Sequence, residues 1–299
     1  LGIKDIIGVD DLSKKDNLTN IAHCELAELL DVKDFENDYL DQNKNIDQVT
    51  HIFHQGACSD TMEWDAEYMM KNNYSFSQKL LELAEKNSAS FIYASSASVY
   101  GDGKQFAEAK ENENPINLYA FSKYLFDQLI RQKINESKIQ IVGLRYFNVY
   151  GPNEAHKGHM ASVAYHLHKQ LEKGDEVKLF EGSDGYEAGE QRRDFVYVDD
   201  VVKVNLWFKE NPEVSGIFNV GTGKSQTFNE VANSVINFHG KGSIQYIPFP
   251  KELVGSYQSF TEADLGKLRA AGYPDDFLDV QTGVQLYLEK LSNWPKNES

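Results

Sequence analysis

The sequence "YAFSK" at residues 119–123 places a phenol, Tyr119, four residues before an ammonium group, Lys123. In a helix this spacing brings the two side chains to one face, one turn apart. A free phenol loses its proton at about pH 10, and a cation held beside it favours the phenolate. The pair therefore predicts a general acid–base group near neutral pH, in which Lys123 lowers the pKa of Tyr119.

A hydroxyl donor for this pair is predicted in "YASSASVYG" (93–101), where Ser95, Ser96 and Ser98 follow an apolar strand. Serine, tyrosine and lysine together suit the removal of a proton from a sugar hydroxyl while a nicotinamide takes the hydride from the same carbon. The Tyr–Lys spacing alone is a weak signal, because it also occurs on many solvated helix faces. The order of "YASSASVYG", "YAFSK" and the strand "LRYFNVYGP" favours the catalytic interpretation.

The apolar pattern predicts the elements that position these residues. Strands are expected within 3–10, 49–57, 89–101 and 139–152, and helices over 64–87 and 118–134. This order, β, β, α, β, α, β, is typical of a doubly wound parallel sheet with its chemistry at the carboxyl ends of the strands. Further along, helices are expected over 160–174, 262–273 and 281–291, a strand and helix over 192–208, a strand over 216–223 and a loop or lid over 182–191. Asp199 and Asp200 are predicted to cap the helix that follows them.

The composition is that of a folded protein without a nucleic-acid or membrane surface. Hydrophobic residues make up 41% and aromatic residues 12% of the 299, more than a disordered chain contains. The net charge of -16 disfavours nucleic acids and anionic membranes as partners. No apolar run is long enough to span a bilayer. Cys24 and Cys58 form no disulfide framework, so a cytoplasmic location is expected.

The chain resembles the extended short-chain dehydrogenase/reductase superfamily of nucleotide-sugar enzymes. The resemblance rests on "HQGACSD", "YASSASVYG", "YAFSK", "RYFNVYGP" and "RRDFVYVDDV". Within the superfamily, the chain is more similar to the ADP-L-glycero-D-manno-heptose 6-epimerase family, through "WDAEYMMKNNY", "GPNEAHKGHMASVAYH", "KLFEGSDG" and "SYQSFTEADLGKLRAAGY". The resemblance extends from Leu1 to about Leu291, nearly the whole sequence.

This resemblance implies an α/β fold: a doubly wound parallel (Rossmann-like) sheet with a second, smaller mixed α/β substrate domain. The cofactor domain is expected over 1–147 and 195–221, and the substrate domain over 148–194 and 222–299. The family begins with a strand and a glycine-rich turn that holds the cofactor pyrophosphate. The sequence lacks both at its start, and "GDG" (101–103) and "VGTG" (220–223) lie elsewhere. We therefore expect such a segment to precede Leu1, and residues 1–299 alone to bind cofactor poorly.

The resemblance implies NADP as the cofactor, with NAD as the alternative. An acid at the end of the second strand of this fold, here Asp10, binds the ribose hydroxyls and favours NAD. Asp11 stands where the family usually has asparagine, and two adjacent carboxylates repel a 2′-phosphate. The remaining cofactor contacts implied by the resemblance are Gln55, where the family commonly has glutamate, Gly56, Ala57, Cys58, Ser59, Asn72, Lys123 and Val149.

The implied activity is epimerisation at C6″ of ADP-D-glycero-D-manno-heptose to its L-glycero epimer, for lipopolysaccharide core precursors. A tightly bound nicotinamide oxidises the carbon, the ketone turns over, and the hydride returns to the other face. The implied catalytic residues are Tyr119 and Lys157 as two acid–base groups, with Ser96 and Lys123. Arg193 suits the substrate diphosphate because a guanidinium pairs with it bidentately. The implied substrate contacts are Ser96, Asn148, His159 (a serine in the family), His166, Phe180, Glu181, Gly182, Ser183, Arg193 and Tyr257.

The sequence is also compatible with other functions. A UDP-hexose 4-epimerase, or another NAD-dependent nucleotide-sugar enzyme, would use Ser96, Tyr119 and Lys123 equally well, and Lys157 in "HKGHMASV" favours the heptose substrate instead. A 4,6-dehydratase would carry an Asp–Glu pair directly after Ser96, which the sequence lacks. A non-catalytic nucleotide-binding regulator is disfavoured by the intact Ser96, Tyr119 and Lys123. No metal is expected, since the histidines lack ligands at familiar spacing. The resemblance implies a homo-oligomer, such as a pentamer.

Overall fold

The largest sheet has four parallel strands, in the spatial order β10–β5–β4–β3. The structure, a computed structural model, describes residues 2–293 except 4, 42–43, 47 and 251–257. The four strands are β3 (His51–His54), β4 (Ser90–Ser96), β5 (Ile141–Tyr146) and β10 (Gly216–Val220). Because all four run the same way, their carboxyl ends meet at one edge of the sheet, where polar residues follow β3, β4 and β5.

Helices cover both faces of this sheet, as strand alternation requires. On one face, Phe91 and Tyr93 of β4 pack against α4 (Phe76–Asn87) and α5 (Leu118–Lys133). On the other face, Ile92 packs with residues of α7 (Val198–Glu210). The predicted α/β class with a doubly wound parallel sheet is therefore confirmed.

The first two strands form a separate sheet. β1 (Ile7–Asp10) and β2 (Glu28–Asp31) pair in parallel and are joined through α1 (Lys15–Ile21). Among the strands in the described ranges, β1 pairs only with β2, so its hydrogen bonding does not continue into the four-stranded sheet. The short α2 (Val32–Phe35) follows β2 directly.

The helix predicted over 64–87 is divided by a π-helical turn. α3 (Ala66–Met69) begins at Asp65, whose carboxylate accepts a hydrogen bond from the Tyr68 amide at 2.9 Å. The π turn Met70–Ser75 follows, and α4 continues from it. Such turns are rare and often occur at functional sites because they change which side chains face inward. Here the turn contains Asn72 and Asn73.

A second lobe has its own hydrophobic core. It contains α6 (Val163–Lys173), β7 (Glu176–Phe180), α8 (Phe228–His239), β12 (Ser243–Ile247) and α10 (Val280–Asn293), with β7 and β12 paired in parallel. The sequence pattern did not predict β2, β7, α8 or β12. The signal for α8 was present, because Thr227 and Glu230 form a capping box at its start.

Short strands connect the two lobes. β6 (Asn148–Tyr150) pairs in parallel with β9 (Phe195–Tyr197), and β8 (Arg192–Arg193) pairs with β11 (Gln226–Thr227). α9 (Gly266–Ala270) packs on the four-stranded sheet, because its Leu268 lies in one hydrophobic cluster with Phe218 and Val220 of β10. These pairings place residues 192–194 directly beside the end of β5. Within the described ranges, every helix is too short or too polar to cross a bilayer.

The capping role predicted for Asp199 and Asp200 is wrong. The residue before α7 is Tyr197, and it makes no side-chain capping hydrogen bond. Asp199 instead accepts from Lys290 at 2.7 Å. Asp200 is buried and accepts from Lys203 and from the Leu278 amide, each at 2.8 Å. Both carboxylates are thus used in contacts with α7 and the C-terminal segment.

Candidate active site

Two elements bring the predicted catalytic residues together. Ser96 is the last residue of β4, at the carboxyl edge of the sheet. α5 begins beside it, and the Asn117 side chain accepts a hydrogen bond from the Ala120 amide at 2.8 Å. Because Tyr119 and Lys123 lie one turn apart on α5, both reach the end of β4.

The hydroxyl groups of the site form a connected chain. Tyr119 is half-buried and is hydrogen bonded to Ser96. The Ser98 hydroxyl donates to the Ser96 hydroxyl at 2.9 Å, and the Ser98 amide does so at 3.2 Å. The structure therefore places the phenol and the serine close enough to act on one substrate oxygen.

The predicted lowering of the Tyr119 pKa is not what the structure shows. Burial raises the pKa of Tyr119, while the hydrogen bond from Ser96 acts in the opposite direction. The Lys123 ammonium points elsewhere, donating to the Ala94 carbonyl of β4 at 2.7 Å. The simple prediction from spacing was wrong because it counted the charge of Lys123 and ignored the cost of a buried phenolate.

Lys123 is itself an unusual lysine, because only 5% of it is exposed. Burial lowers the pKa of Lys123 to about 8, and the negative charge of Asp127, one turn further along α5, opposes this effect. The ammonium thus titrates close to neutral pH. A buried titratable group with so strongly shifted a pKa is typical of a functional site.

Asn73, which the sequence analysis missed, connects the site to the loop after β3. Its buried amide accepts from the Cys58 amide at 2.8 Å and donates to the Cys58 carbonyl at 2.8 Å. It also donates to Ser122 at 3.0 Å, and Ser122 donates to the Tyr119 carbonyl at 2.7 Å. The π turn that carries Asn73 therefore fixes both the candidate cofactor loop and the first turn of α5.

His54, the last residue of β3, is linked to Asn73 through the Ser77 hydroxyl. It is buried between Phe76 and Phe91, and its Nε2 lies 2.7 Å from the Ser77 hydroxyl. That hydroxyl donates to the Asn73 carbonyl at 2.5 Å, so His54 is the donor to Ser77. Burial lowers the pKa of His54 to about 3, and the nearby Lys123 charge adds to this.

His54 is therefore expected to make the protein less stable in acid. An unfolded histidine takes up its proton near its ordinary pKa of 6.5, whereas the folded protein holds His54 neutral. Below pH 6.5 the unfolded chain binds the extra proton, and the free energy of unfolding falls by up to about 1.4 kcal/mol per pH unit. Between about pH 6.5 and 5, the free energy of unfolding of His54→Gln, measured in urea, should therefore fall by about 2 kcal/mol less than that of the native protein.

The matched control for this prediction is His156→Gln, because His156 is exposed. Its loss of stability in acid should equal that of the native protein. The linkage argument is wrong if His54→Gln follows the native curve as well.

Three carboxylates gather at the ends of β1 and β2, where a ribose is predicted to bind. Asp10 and Asp31 are paired residues of the two strands. Asp10 accepts from the Asp11 amide at 2.7 Å and from Asn17 at 2.9 Å. Hydrogen bonds from Ser13 lower the pKa of Asp11. These hydrogen bonds favour the charged form of Asp11 at the end of β1.

The loop after β3 presents its backbone to solvent. Gln55, Gly56, Ala57 and Ser59 are exposed, and Cys58 is half-buried. Asn72 lies on the π turn beside this loop, and its amide donates to the Tyr68 carbonyl at 2.7 Å. Val149 is half-buried in β6, one strand further along the edge.

Gln55 uses both the oxygen and the nitrogen of its side-chain amide. The Tyr146 hydroxyl donates to Gln55 Oε1 at 2.9 Å, and Gln55 Nε2 donates to Asn205 Oδ1 at 3.3 Å. Asn205 Nδ2 in turn donates to Tyr146 at 2.9 Å. A carboxylate at position 55 could accept but could not donate, so glutamine completes this ring of three side chains.

Lys157 lies on an exposed loop that reaches toward the β3 loop. The helical turn Ala155–Met160 contains Gly158 at φ 55°, which favours glycine. Asn20 donates to the Asn153 carbonyl at 3.2 Å, and the His159 ring lies 3.7 Å from the Asp60 carboxylate. The loop is therefore held at Asn153 by α1 and at His159 by the loop after β3, with the Lys157 side chain exposed.

Arg193 and Asp194 lie between the end of β5 and α8 of the second lobe. Arg193 is buried, and its guanidinium lies over the Phe228 ring at 5.9 Å. Asp194 follows it and is fully buried; its carboxylate accepts from the Thr222, Gly223 and Ala263 amides at 2.7, 2.9 and 3.0 Å. A Cβ atom at position 221 would lie 2.7 Å from the Asp194 carboxylate, so Gly221 leaves room for it, and Gly223 supplies one of its amide donors.

Asp194 is expected to stabilise the segment that carries Arg193, because it anchors this segment to residues 222, 223 and 263. In Asp194→Asn an amide NH₂ would face backbone donors, leaving buried N–H groups unpaired. We expect a loss of about 2–4 kcal/mol in the free energy of unfolding and a higher KM for a diphosphate substrate. Asp199→Asn is the control, since Asp199 is about half exposed in its pair with Lys290. Equal stability of the two variants would refute the assignment.

The other predicted substrate residues are spread along the same side. Asn148 and His159 are exposed, and His166 is half-buried on α6. Phe180 ends β7 and lies 5.5 Å from the Phe249 ring, followed by the exposed Glu181 and Gly182 and the half-buried Ser183. Tyr257 lies outside the described residues.

The segment 182–191, predicted as a loop or lid, is a loop with several anchors. Gln191 donates to the Glu181 carbonyl at 3.0 Å and to Ser183 at 3.1 Å. Asn229 of α8 donates to the Ala188 carbonyl at 3.0 Å. These bonds hold the loop against the second lobe beside Arg193. Within the described ranges, no group of three His, Cys, Asp or Glu side chains could hold a metal ion.

A parallel α/β sheet with serine, tyrosine and lysine at its carboxyl edge is the arrangement of the short-chain dehydrogenases/reductases. The model of the NAD dependent epimerase/dehydratase family matches residues 1–221. The ADP-L-glycero-D-manno-heptose-6-epimerase of Alkalilimnicola ehrlichii is 49% identical over 294 residues, 98% of this chain and 92% of the relative. The enzyme of the same name from Thiobacillus denitrificans is 51% identical over 309 residues, with 97% and 92% covered.

A solved structure agrees with these relatives. The Helicobacter pylori ADP-L-glycero-D-manno-heptose-6-epimerase is 28% identical, with a TM-score of 0.77 and 97% of each chain covered. The chain therefore belongs to the NAD dependent epimerase/dehydratase family.

Proposed function

We propose that this protein is an ADP-L-glycero-D-manno-heptose 6-epimerase, which acts on a nucleotide sugar for lipopolysaccharide core synthesis. The observation that carries the proposal is the contact between Ser96 and Tyr119 above the buried Lys123. The names of the relatives at 49% and 51% identity support the heptose substrate. A homo-oligomer and a cytoplasmic location remain predictions.

The chemistry assigned to this chain is proton transfer at a sugar oxygen. The nicotinamide, when bound, supplies the acceptor and donor of hydride at C6″. The phenolate form of Tyr119 takes the proton from the hydroxyl at that carbon, and the phenol so formed returns it, while Ser96 holds the same oxygen by a hydrogen bond. Lys123, whose ammonium donates to the Ala94 carbonyl of β4, keeps α5 in position beside Ser96.

A second acid–base group is needed because the two epimers present their hydroxyls on opposite sides of the carbon. We assign this role to Lys157, whose loop reaches the β3 loop through His159 and Asp60. Arg193 is assigned to the substrate diphosphate, since a guanidinium binds two phosphate oxygens at once. Residues 180–183 and His166 would then surround the heptose.

The cofactor is assigned to the exposed loop after β3, to Lys123 and to the carboxylates of Asp10 and Asp11. The family resemblance favours NADP, whereas these carboxylates and Asp31 favour NAD by repelling a 2′-phosphate. Mass spectrometry of the nucleotide that co-purifies with the native protein distinguishes the two directly.

The activity is tested by incubating the purified protein with ADP-D-glycero-D-manno-heptose and following the C6″ epimer. We expect conversion of this substrate and none of UDP-galactose. Conversion of UDP-galactose alone would favour the UDP-hexose 4-epimerase alternative. Failure to convert either, with nucleotide bound, would favour a non-catalytic nucleotide-binding protein.

A further inference from the structure

A buried cluster of charged residues lies directly behind the candidate catalytic helix. Asp127 and Arg145 are both fully buried. Arg145 of β5 donates to the Asp127 carboxylate from Nε at 2.9 Å and from a terminal nitrogen at 2.8 Å. Arg145 also contacts Glu113, which in turn pairs with Arg131. Burying a charge costs free energy of desolvation unless the charge is well paired. The presence of four charged side chains in this cluster therefore suggests a role beyond stability.

Asp127 connects this cluster to the residues beside the site. Its carboxylate accepts from Tyr93 at 2.8 Å and from Ser95 at 2.9 Å, both on β4. Ser95 immediately precedes Ser96. Asp127 also lies one helical turn beyond Lys123, on the same face of α5. One carboxylate therefore joins the catalytic helix to the two strands whose ends form the site.

The charged and titratable groups around Lys123 come from several elements. Asp127 lies on its own helix, and its charge stabilises the ammonium. His54 of β3 faces Lys123 and is kept neutral by burial. β4 contributes the Ala94 carbonyl and the Tyr93 phenol. The groups behind Asp127 are Arg145 of β5, Glu113 and Arg131. Asp127 is thus the anion in this set that acts directly on Lys123.

We propose that Asp127 is a positioning residue for the epimerisation: its carboxylate locks α5 to β4 and β5 and keeps Lys123 positively charged. The proposal rests on the function assigned to Tyr119 and Lys123 above. Its two parts are separable, because a hydrogen bond can be removed at Ser95 and the charge can be removed at Asp127.

The charge is tested with Asp127→Asn, which keeps the size of the side chain. We expect kcat to fall by about tenfold or more, with KM changed less than about twofold. Loss of the anion makes Lys123 release its proton more easily, so the alkaline limb of the kcat profile should move down by about half a pH unit or more. Asp127→Glu should restore the limb, and Asp102→Asn, an exposed carboxylate, should behave as the native protein.

A second readout does not depend on activity. The rate at which an amine-reactive acylating reagent modifies Lys123, relative to the exposed Lys104, is followed by peptide mass spectrometry across pH. In Asp127→Asn this profile should also move to lower pH. The proposal is wrong if folded Asp127→Asn keeps the native pH dependence of kcat and of Lys123 labelling, or if its kcat is unchanged. The labelling result stands even if the native protein proves inactive on ADP-heptose, so failure of the proposed function is recognised separately.

The hydrogen bond is tested with Ser95→Ala, which also serves if Asp127→Asn does not fold. This variant leaves every charge in place and removes one bond between α5 and β4. We expect kcat to fall by about threefold or more, as expected for a misplaced acid–base group, with the Lys123 labelling profile unchanged. An unchanged kcat overturns the positioning role.

Discussion

Replacing Tyr119 with phenylalanine is expected to reduce epimerisation of ADP-heptose by about 10²–10⁴-fold, the range typical of a lost acid–base group. Phenylalanine keeps the ring in the same half-buried position and removes only the hydroxyl that bonds to Ser96. The cofactor should remain bound, because its assigned contacts lie on Lys123, the β3 loop and β1. The measurement is turnover together with mass spectrometry of the retained nucleotide.

Tyr124→Phe is a matched control for this substitution. Tyr124 is also half-buried on α5, its ring lies 6.2 Å from that of Phe121, and its hydroxyl has no assigned role in proton transfer. It should retain native turnover. Near-native activity of Tyr119→Phe would mean that another group moves the proton, and the enzyme assignment would then have to move away from the end of β4.

The pKa of Tyr119 shows what can and what cannot be predicted from the spacing of two residues on a helix. Residues four apart on a helix share a face whatever the rest of the protein does, so the approach of Tyr119 and Lys123 to Ser96 followed from the sequence. Burial depends on every element packed around the phenol, and it raises the pKa that spacing alone had predicted to be lowered. The sequence located the groups and misjudged their electrostatics.

The residues that the sequence analysis missed act over long separations. Asn73 bonds to Cys58, 15 residues away, and Asp194 to Ala263, 69 residues away. The residues next to Asn73 and Asp194 in the sequence do not indicate these distant partners. Their buried hydrogen bonds could therefore be recognised only from the three-dimensional structure. α8 is a different case, because Thr227 and Glu230 with the apolar Val231 and Val235 were readable as a helix start.

The capping prediction for Asp199 and Asp200 failed for a related reason. An acid in the first turn of a helix is favourable near the N-terminus in any protein. In this protein the lysine and amide donors that take up the two carboxylates come from α7 and from residues 278 and 290. Asp199 and Asp200 therefore bind side-chain and backbone donors elsewhere in the fold instead of the amide groups at the start of α7.

Replacing Lys157 with methionine is expected to reduce epimerisation by about 10²–10³-fold while the cofactor stays bound. Methionine keeps the unbranched length of the side chain and removes the only atom that can exchange a proton. Lys157 is exposed, and its loop is held by Asn20 on one side and by the His159–Asp60 contact on the other. A catalytic role thus requires the substrate to bring the heptose up to this loop.

The roles of Lys157 and Tyr119 can be distinguished by using the two epimers as separate substrates. If the groups act on opposite sides of C6″, each variant should still oxidise one epimer in a single turnover and fail with the other. Lys157→Met and Tyr119→Phe should then show opposite preferences for the D-glycero and L-glycero substrates. Lys110→Met, another exposed lysine, should leave both reactions unchanged. If Lys157→Met oxidised both epimers at the native rate, a single acid–base group would suffice, and the loop would serve only to hold the sugar.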